Sequence, residues 1–228
     1  EEAGGTLDAD GYRREMGKAH VGVIRAFLSA SGLDTSDAAV ERYRERFRRA
    51  YRKLLAAELR PMPGARELLV ACREQGRPLA LVTSSERWMA EIVLEQILDG
   101  IPVGATEAAG DSTPLETLFQ AIVTADDVEN EKPDPEPYLR ARKALGRDPA
   151  SGAEDRPVVA VEDTPAGVTS AAAAGLPVIA VRHDFNRHHP FDHATAVIES
   201  LAPVDRFLSA VDAVADEVAH RAPAPGSR

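Results

Sequence analysis

The sequence contains a single cysteine, Cys72, among 228 residues. An internal disulfide and a thiolate metal cluster are thereby excluded, and a reducing compartment, the cytoplasm, is the simple expectation. No apolar run approaches the roughly 18 residues that cross a bilayer, and Glu1-Glu2-Ala3-Gly4-Gly5 has neither the basic nor the apolar region of a signal peptide. No membrane partner is expected. Positive charge is also short: 27 Lys and Arg stand against 37 Asp and Glu, a formal net charge of −10. A protein that holds a polyanion needs a basic surface, and this chain would have to build one against its own field, so nucleic acid is not an expected partner. Small anionic substrates stay open. The sequence further lacks a Gly-x-Gly-x-x-Gly turn, a Walker loop, a Gly-x-Ser-x-Gly elbow and any internal repeat. What it has is 44% hydrophobic and 28% charged residues, a globular balance in a chain long enough to bury roughly 70% of its unfolded surface.

The first segment reads as helix. Over 12–59, Val21, Ile24 and Leu28 fall on one stripe and Val40, Tyr43, Phe47, Tyr51 and Leu54 on another, at the three- and four-residue steps of amphipathic helices. The stretch 32–37 breaks the pattern, and Ser36 or Asp37 suits the N-cap of the second helix. The basic run over 42–53 lies mostly opposite the apolar stripe and reads as a solvated face. After Pro61-Met62-Pro63-Gly64 the pattern becomes alternation: helix 65–74, strand 78–82, helix 86–98, strand 121–124, helix 136–145, strand 157–161, helix 166–174 and strand 177–181. Alternating βα units predict a parallel sheet with helices on both faces. The expected division is an all-helical module over 1–60, an α/β module over 61–221 and a disordered tail over 222–228, with 99–116 an irregular excursion.

In an open parallel sheet, ligands bind beyond the carboxyl ends of the strands. Three of these ends carry groups of interest. Thr83-Ser84-Ser85-Glu86 opens a helix, where hydroxyls, orphan backbone N–H groups and the helix dipole suit a phosphate. Thr83 with Glu86 three residues on also spells a capping box. Lys132 is set among Pro133, Pro135 and Pro137, a stiff loop in which Asp134 can cap a helix that begins at Pro135. Its ammonium can neutralise phosphoryl oxygens as charge builds in a transition state; a solvated surface lysine is the plain alternative. The apolar strand delivers Glu162 and Asp163, whose mutual repulsion is costly unless a cation sits there, and hard oxygen ligands with room for water suit Mg2+. Asp163 and Thr164 can equally serve as a helix cap.

In this order and context the three ends resemble the motifs of the haloacid dehalogenase superfamily. Thr83 in Leu-Val-Thr-Ser-Ser resembles the second motif, Lys132 in Glu-Lys-Pro-Asp-Pro-Glu-Pro-Tyr the third, and Glu162-Asp163 in Val-Glu-Asp-Thr-Pro-Ala-Gly the fourth. The helical segment ending in Arg60-Pro61-Met62-Pro63-Gly64 resembles the cap of the phosphoglycolate phosphatase and beta-phosphoglucomutase branch, and the similarity runs to about Leu201. The resemblance implies a Rossmann-like α/β core with an N-terminal all-helical cap. It implies a monomeric, Mg2+-dependent phosphatase of a small phosphorylated metabolite, a sugar phosphate or phosphoglycolate, working through an aspartyl-phosphate that water hydrolyses. Thr83 and the Ser84 N–H would hold the transferring group, Lys132 would balance its charge and steady the nucleophile, and Asp163, with Glu162 directly or through water, would hold Mg2+. The cap would close over the site. Lys18 and His20, in Gly17-Lys18-Ala19-His20, fall where this branch places its cap specificity loop and are implied substrate contacts. A phosphomutase of the same fold and a catalytically inert module that binds a phosphorylated ligand are the rival readings.

The family's first motif, an apolar strand ending in Asp-x-Asp-Gly that provides the nucleophile, has no counterpart. Leu7-Asp8-Ala9-Asp10-Gly11 spells part of it, but residues 1–6 cannot form a buried central strand, and the stretch from Asp8 to Thr83 must still hold the whole cap. Asp8 therefore reads as a loop or cap acid. The chain is expected to start inside the cap, to be inactive alone, and to leave unpaired ladder groups and an open core where the first strand belongs. His188, His189 and His193 read as a surface loop because Pro190 breaks helical spacing, and Trp88 reads as core.

Overall fold

The computed structural model describes residues 20–98, 118–147 and 157–221. Asp8, Lys18, the excursion over 99–116 and the tail over 222–228 lie outside the described residues, as does the side chain of His20. Two helices open the described chain, α1 (His20–Ala30) and α2 (Asp37–Glu58). Ile24 and Leu28 meet Val40 in a small core of their own, with Val21, Phe27, Leu33 and Tyr43 around it. These are the residues of the two apolar stripes, so the pairing follows from the periodicity. The second helix is capped as its sequence suggests, with the Ser36 hydroxyl accepting from the Ala39 N–H at 3.3 Å.

Helix α3 (Ala65–Glu74) starts after Gly64, which has φ +86° and whose added Cβ would stand 3.0 Å from the backbone of Leu201 and Ala202. Only glycine suits both conditions. Then follow β1 (Ala80–Val82), α4 (Arg87–Leu98), β2 (Ala121–Val123), α5 (Glu136–Ala144), β3 (Ala160–Glu162), α6 (Pro165–Ala173), β4 (Val178–Val181), β5 (Ala196–Ile198) and α7 (Val204–Arg221). Strand β1 pairs with β2, Leu81 opposite Ile122, while β3, β4 and β5 form a second ladder with Val161 opposite Ile179 and Ala180 opposite Val197. Every pairing is parallel.

Strand β4 shows why its sequence is an unbroken apolar run. Val178 and Ala180 pack against Tyr138 of α5 and Val168 and Ala171 of α6, whereas Ile179 and Val181 pack against Cys72 of α3 and Phe207 and Leu208 of α7. All four are buried, as a strand covered on both faces requires. Burial pushes the Cys72 thiol up, consistent with a packing role. Leu94 and Leu98 of α4 cover the other ladder through Leu81 and Ile122. The fold is thus the expected mixed α/β arrangement with parallel strands between helices.

Two elements lie beyond those anticipated. Strand β5 is only three residues, too short to show a period, and α7 places Val204, Phe207, Leu208, Val211 and Val214 at helical spacing onto α3 and β4. Strand β3 also ends one residue later than expected, so Glu162 belongs to the ladder, opposite Ala180. Among the described residues no strand joins β1 to β3. A cavity of about 420 Å³ lies between them, lined by Leu79, Leu81, Val159, Val161, Tyr138 and Phe207 among others. Among the described residues no helix is long and apolar enough to cross a membrane.

Candidate active site

The turn after β1 continues the ladder for one bond, the Thr83 N–H donating to Val123 O at 2.9 Å. The Thr83 hydroxyl then accepts from the Ser85 N–H at 3.1 Å, and the Ser85 carbonyl accepts from the Ala125 N–H at 3.0 Å. Glu86 does not turn back to Thr83 as a capping box requires. The first N–H of α4, at Arg87, is instead capped by Asp126 at 2.8 Å from the loop after β2.

Glu86 points to the helical segment. It is 4% exposed and accepts from Arg44 Nε at 2.9 Å, Arg48 Nη2 at 2.8 Å and Trp88 Nε1 at 2.8 Å. Burial alone would raise its carboxyl, but Arg44, Arg48 and Trp88 outweigh burial and hold it at about 2. Two arginines of the basic run are therefore partly buried ion-pair partners and not solvated ones. Trp88 is likewise at the seam between α2 and α4, edge-on to Tyr51 at 6.2 Å with Arg52 5.1 Å over its ring. That placement corrects its expected seat in the core.

Lys132 reaches the site through a braced loop. Glu136 accepts from the N–H groups of Glu129 at 3.1 Å and Asn130 at 2.8 Å, and Asp134 caps α5 through the Glu136 N–H at 2.9 Å. The lysine itself is 8% exposed. Its Nζ donates to Val82 O at 3.0 Å, at the end of β1, and to Glu162 Oε1, at the end of β3. Two of its three donors are engaged in this way among the described residues.

Glu162 is 7% exposed and faces inward. Its Oε1 takes hydrogen bonds from Lys132 and the Tyr138 hydroxyl, and its Oε2 takes them from the N–H groups of Asp163 at 3.1 Å and Thr164 at 3.4 Å and from the Thr164 hydroxyl at 3.3 Å. Thr164 caps α6 as well, its hydroxyl accepting from the Gly167 N–H at 3.1 Å. Gly167 lies directly under the Glu162 carboxylate, with no room for a side chain. Burial, reinforced by the Glu162 charge, pushes the Tyr138 phenol far up, so it stays a donor.

Asp163 differs. Its side chain is about half exposed, with Oδ2 3.2 Å from His183 Nε2 and no hydrogen bond to Oδ1 among the described residues. Desolvation and then the neighbouring Glu162 charge push its carboxyl up, with His183 opposing. Asn186, wholly buried, fixes this corner: Nδ2 donates to Asp163 O and Val181 O at 2.8 Å each, and Oδ1 accepts from the His183 N–H at 2.7 Å. Among the described residues no group of three or more His, Cys, Asp or Glu is gathered as a ligand set. An open carboxylate suits a hard cation such as Mg2+, so Asp163 fits, while Glu162 is committed to internal donors.

The structure therefore bridges the β1 end that precedes Thr83 to the β3 end through Lys132. Tyr138, Gly167, His183 and Asn186 are additions to the residues the sequence singles out, and Glu86, expected to cap its own helix with Thr83, instead pairs with α2. His183 carried a signal, since it stands two residues beyond β4, where strand-end logic looks. His188 and His193 lie farther along that loop, exposed, and His189 is half-buried there.

The chain matches the haloacid dehalogenase-like hydrolase family over residues 2–175, and it belongs to that family. It is 31% identical over 172 residues to protein CbbY of Rhodobacter capsulatus, covering 75% of this chain and 67% of CbbY. It is 30% identical to N-acetylmuramic acid 6-phosphate phosphatase of Pseudomonas aeruginosa, covering 75% of this chain and 66% of that enzyme. It thus spans about two thirds of each relative's length. The crystal structure of beta-phosphoglucomutase from Clostridium difficile superposes with a TM-score of 0.72 at 19% identity, over 96% of this chain and 87% of that one, a likeness of fold.

Proposed function

We propose that the chain acts as a cytoplasmic, monomeric phosphatase of small phosphate esters, of the sugar phosphate or phosphoglycolate type. The observation that carries this reading is the buried Lys132 ammonium, held between Val82 O at the β1 end and Glu162 at the β3 end, with one of its three donors unengaged among the described residues. A phosphoryl group held by the Thr83 hydroxyl and the Ser84 N–H would receive that donor as negative charge builds on its oxygens. Asp163 would hold Mg2+, which supplies further charge neutralisation when bound. Glu162 would keep Lys132 in place and reach the ion only through water. We place the nucleophilic aspartate on an extended apolar strand lying in the cavity between β1 and β3. Its carboxylate attacks phosphorus, the ester P–O bond breaks, and the alcohol leaves with a proton from the second acid of the same Asp-x-Asp, which takes a proton back from the water that cleaves the aspartyl-phosphate to aspartate and inorganic phosphate. The α1–α2 pair acts as the cap, and Lys18 and His20 remain its proposed substrate contacts.

The test is phosphate release from sugar phosphates and phosphoglycolate, by the chain alone and with an apolar peptide ending in Asp-x-Asp-Gly, first in Mg2+ and then in EDTA. Metal-dependent release on any ester is the expected result, and its absence on every ester in both forms refutes the proposal. Isomerised sugar phosphate without net release would mean a mutase.

A further inference from the structure

One carboxylate ties the helical pair to the turn after β1. Glu86 follows Ser85 directly, is buried, and is held by Arg44 and Arg48, both on α2. Tyr51 and Arg52 of the same helix close on Trp88, which itself donates to Glu86. Residues 44, 48 and 52 stand one helical turn apart, so a single face of α2 makes every one of these contacts. The turn has little slack on its other side, because Thr83 and Ser85 are both bonded to the β2 end, at Val123 and Ala125. Separating α2 from Glu86 would strand a buried charge, which is strongly unfavourable.

We infer that Glu86 is a positioning residue that latches α2 onto the 83–85 turn, so that docking of the helical pair and the shape of the turn are coupled through one buried ion cluster. Only the phosphate-binding readout rests on the phosphatase reading.

Trp88 is the only tryptophan in the sequence and reports on the latch. In the full chain, Glu86→Gln should shift Trp88 emission to the red, raise its acrylamide quenching roughly twofold, and speed hydrogen exchange about tenfold in both 37–58 and 83–86. Arg48→Gln, on the opposite partner, gives the same pattern and keeps the test decisive if the first variant does not fold. Asp212→Asn, which breaks the remote Arg77–Asp212 pair at 2.7 and 2.8 Å, leaves both segments unchanged. Unaltered Trp88 emission, or faster exchange in one segment alone, overturns the inference. Inorganic phosphate serves as a probe of the turn: weaker binding in Glu86→Gln than in wild type supports the coupling, and equal binding overturns it. If wild type binds no phosphate, the phosphatase reading fails while the exchange result still decides the latch.

Discussion

Replacing Gly167 by alanine sets two physical expectations against each other. Gly167 lies in the first turn of α6, and helix propensity alone favours alanine by up to about 1 kcal/mol. The new Cβ, however, would fall well inside 3.0 Å of the Glu162 carboxylate, a separation that real Cβ atoms essentially never show. That carboxylate must then retreat by about 1 Å, beyond what its bonds to Lys132 and Tyr138 tolerate. Each of those bonds joins buried groups, and a hydrogen bond to a charged partner contributes about 1.5–3 kcal/mol. Losing both, less the propensity gain, predicts a net loss of about 2–5 kcal/mol. Urea unfolding at pH 7, followed by Trp88 emission and far-ultraviolet circular dichroism, measures it. Gly22→Ala is the control: it is in α1, an added Cβ meets nothing within 4 Å, and a gain of up to about 1 kcal/mol is expected. A Gly167→Ala protein as stable as wild type, beside a well-behaved control, would show that Glu162 is not seated over Gly167 and would undo the Lys132 placement with it.

Three further outcomes follow from the same geometry. Glu86 is held at about 2 against an ordinary 4.5, so its stabilisation, at most about 3 kcal/mol, is fully present above pH 4.5 and is lost as pH falls through 2. Subtracting the Glu86→Gln stability curve from that of wild type between pH 2 and 6 should isolate this fall, and a flat difference would contradict it. Asn186→Ala removes the bonds to Asp163 O, Val181 O and the His183 N–H and should lower unfolding free energy by about 3 kcal/mol; a loss under about 1 kcal/mol would mean that the corner is held by something else. Beside the turn one ammonium, Lys132, stands against two carboxylates, Glu162 and Asp163, so a phosphate dianion meets net negative charge there. Calorimetry should detect inorganic phosphate binding with Mg2+ and at least about tenfold weaker binding in EDTA, and equal affinity in both would refute the charge argument.

The fold was legible where one physical signal dominated. A strand covered on both faces must be apolar throughout, and Val178, Ile179, Ala180 and Val181 could be read as such without knowing what covered them. The stripes of α1 and α2 were legible for the same reason. Strand β5 was not, because its three residues gain their identity from pairing with β4, a contact with no local trace. Arg44 and Arg48 carry no sequence sign of burial because their partner lies 42 and 38 residues away, and helical position alone does not distinguish a charge facing water from one facing Glu86.

The site shows how far a single residue of register reaches. Thr83, Lys132 and the acid pair stand at or beyond strand ends, but which acid faces which way depends on where β3 stops. With Glu162 as the last ladder residue, strand alternation turns its side chain inward to Lys132 and Tyr138, and Asp163 is left past the ladder beside His183. Had β3 ended at Val161, both acids would have been loop residues and either could have faced a cation. The two carboxylates are adjacent in sequence, yet the strand end gives one the task of holding a lysine and leaves the other open to solvent.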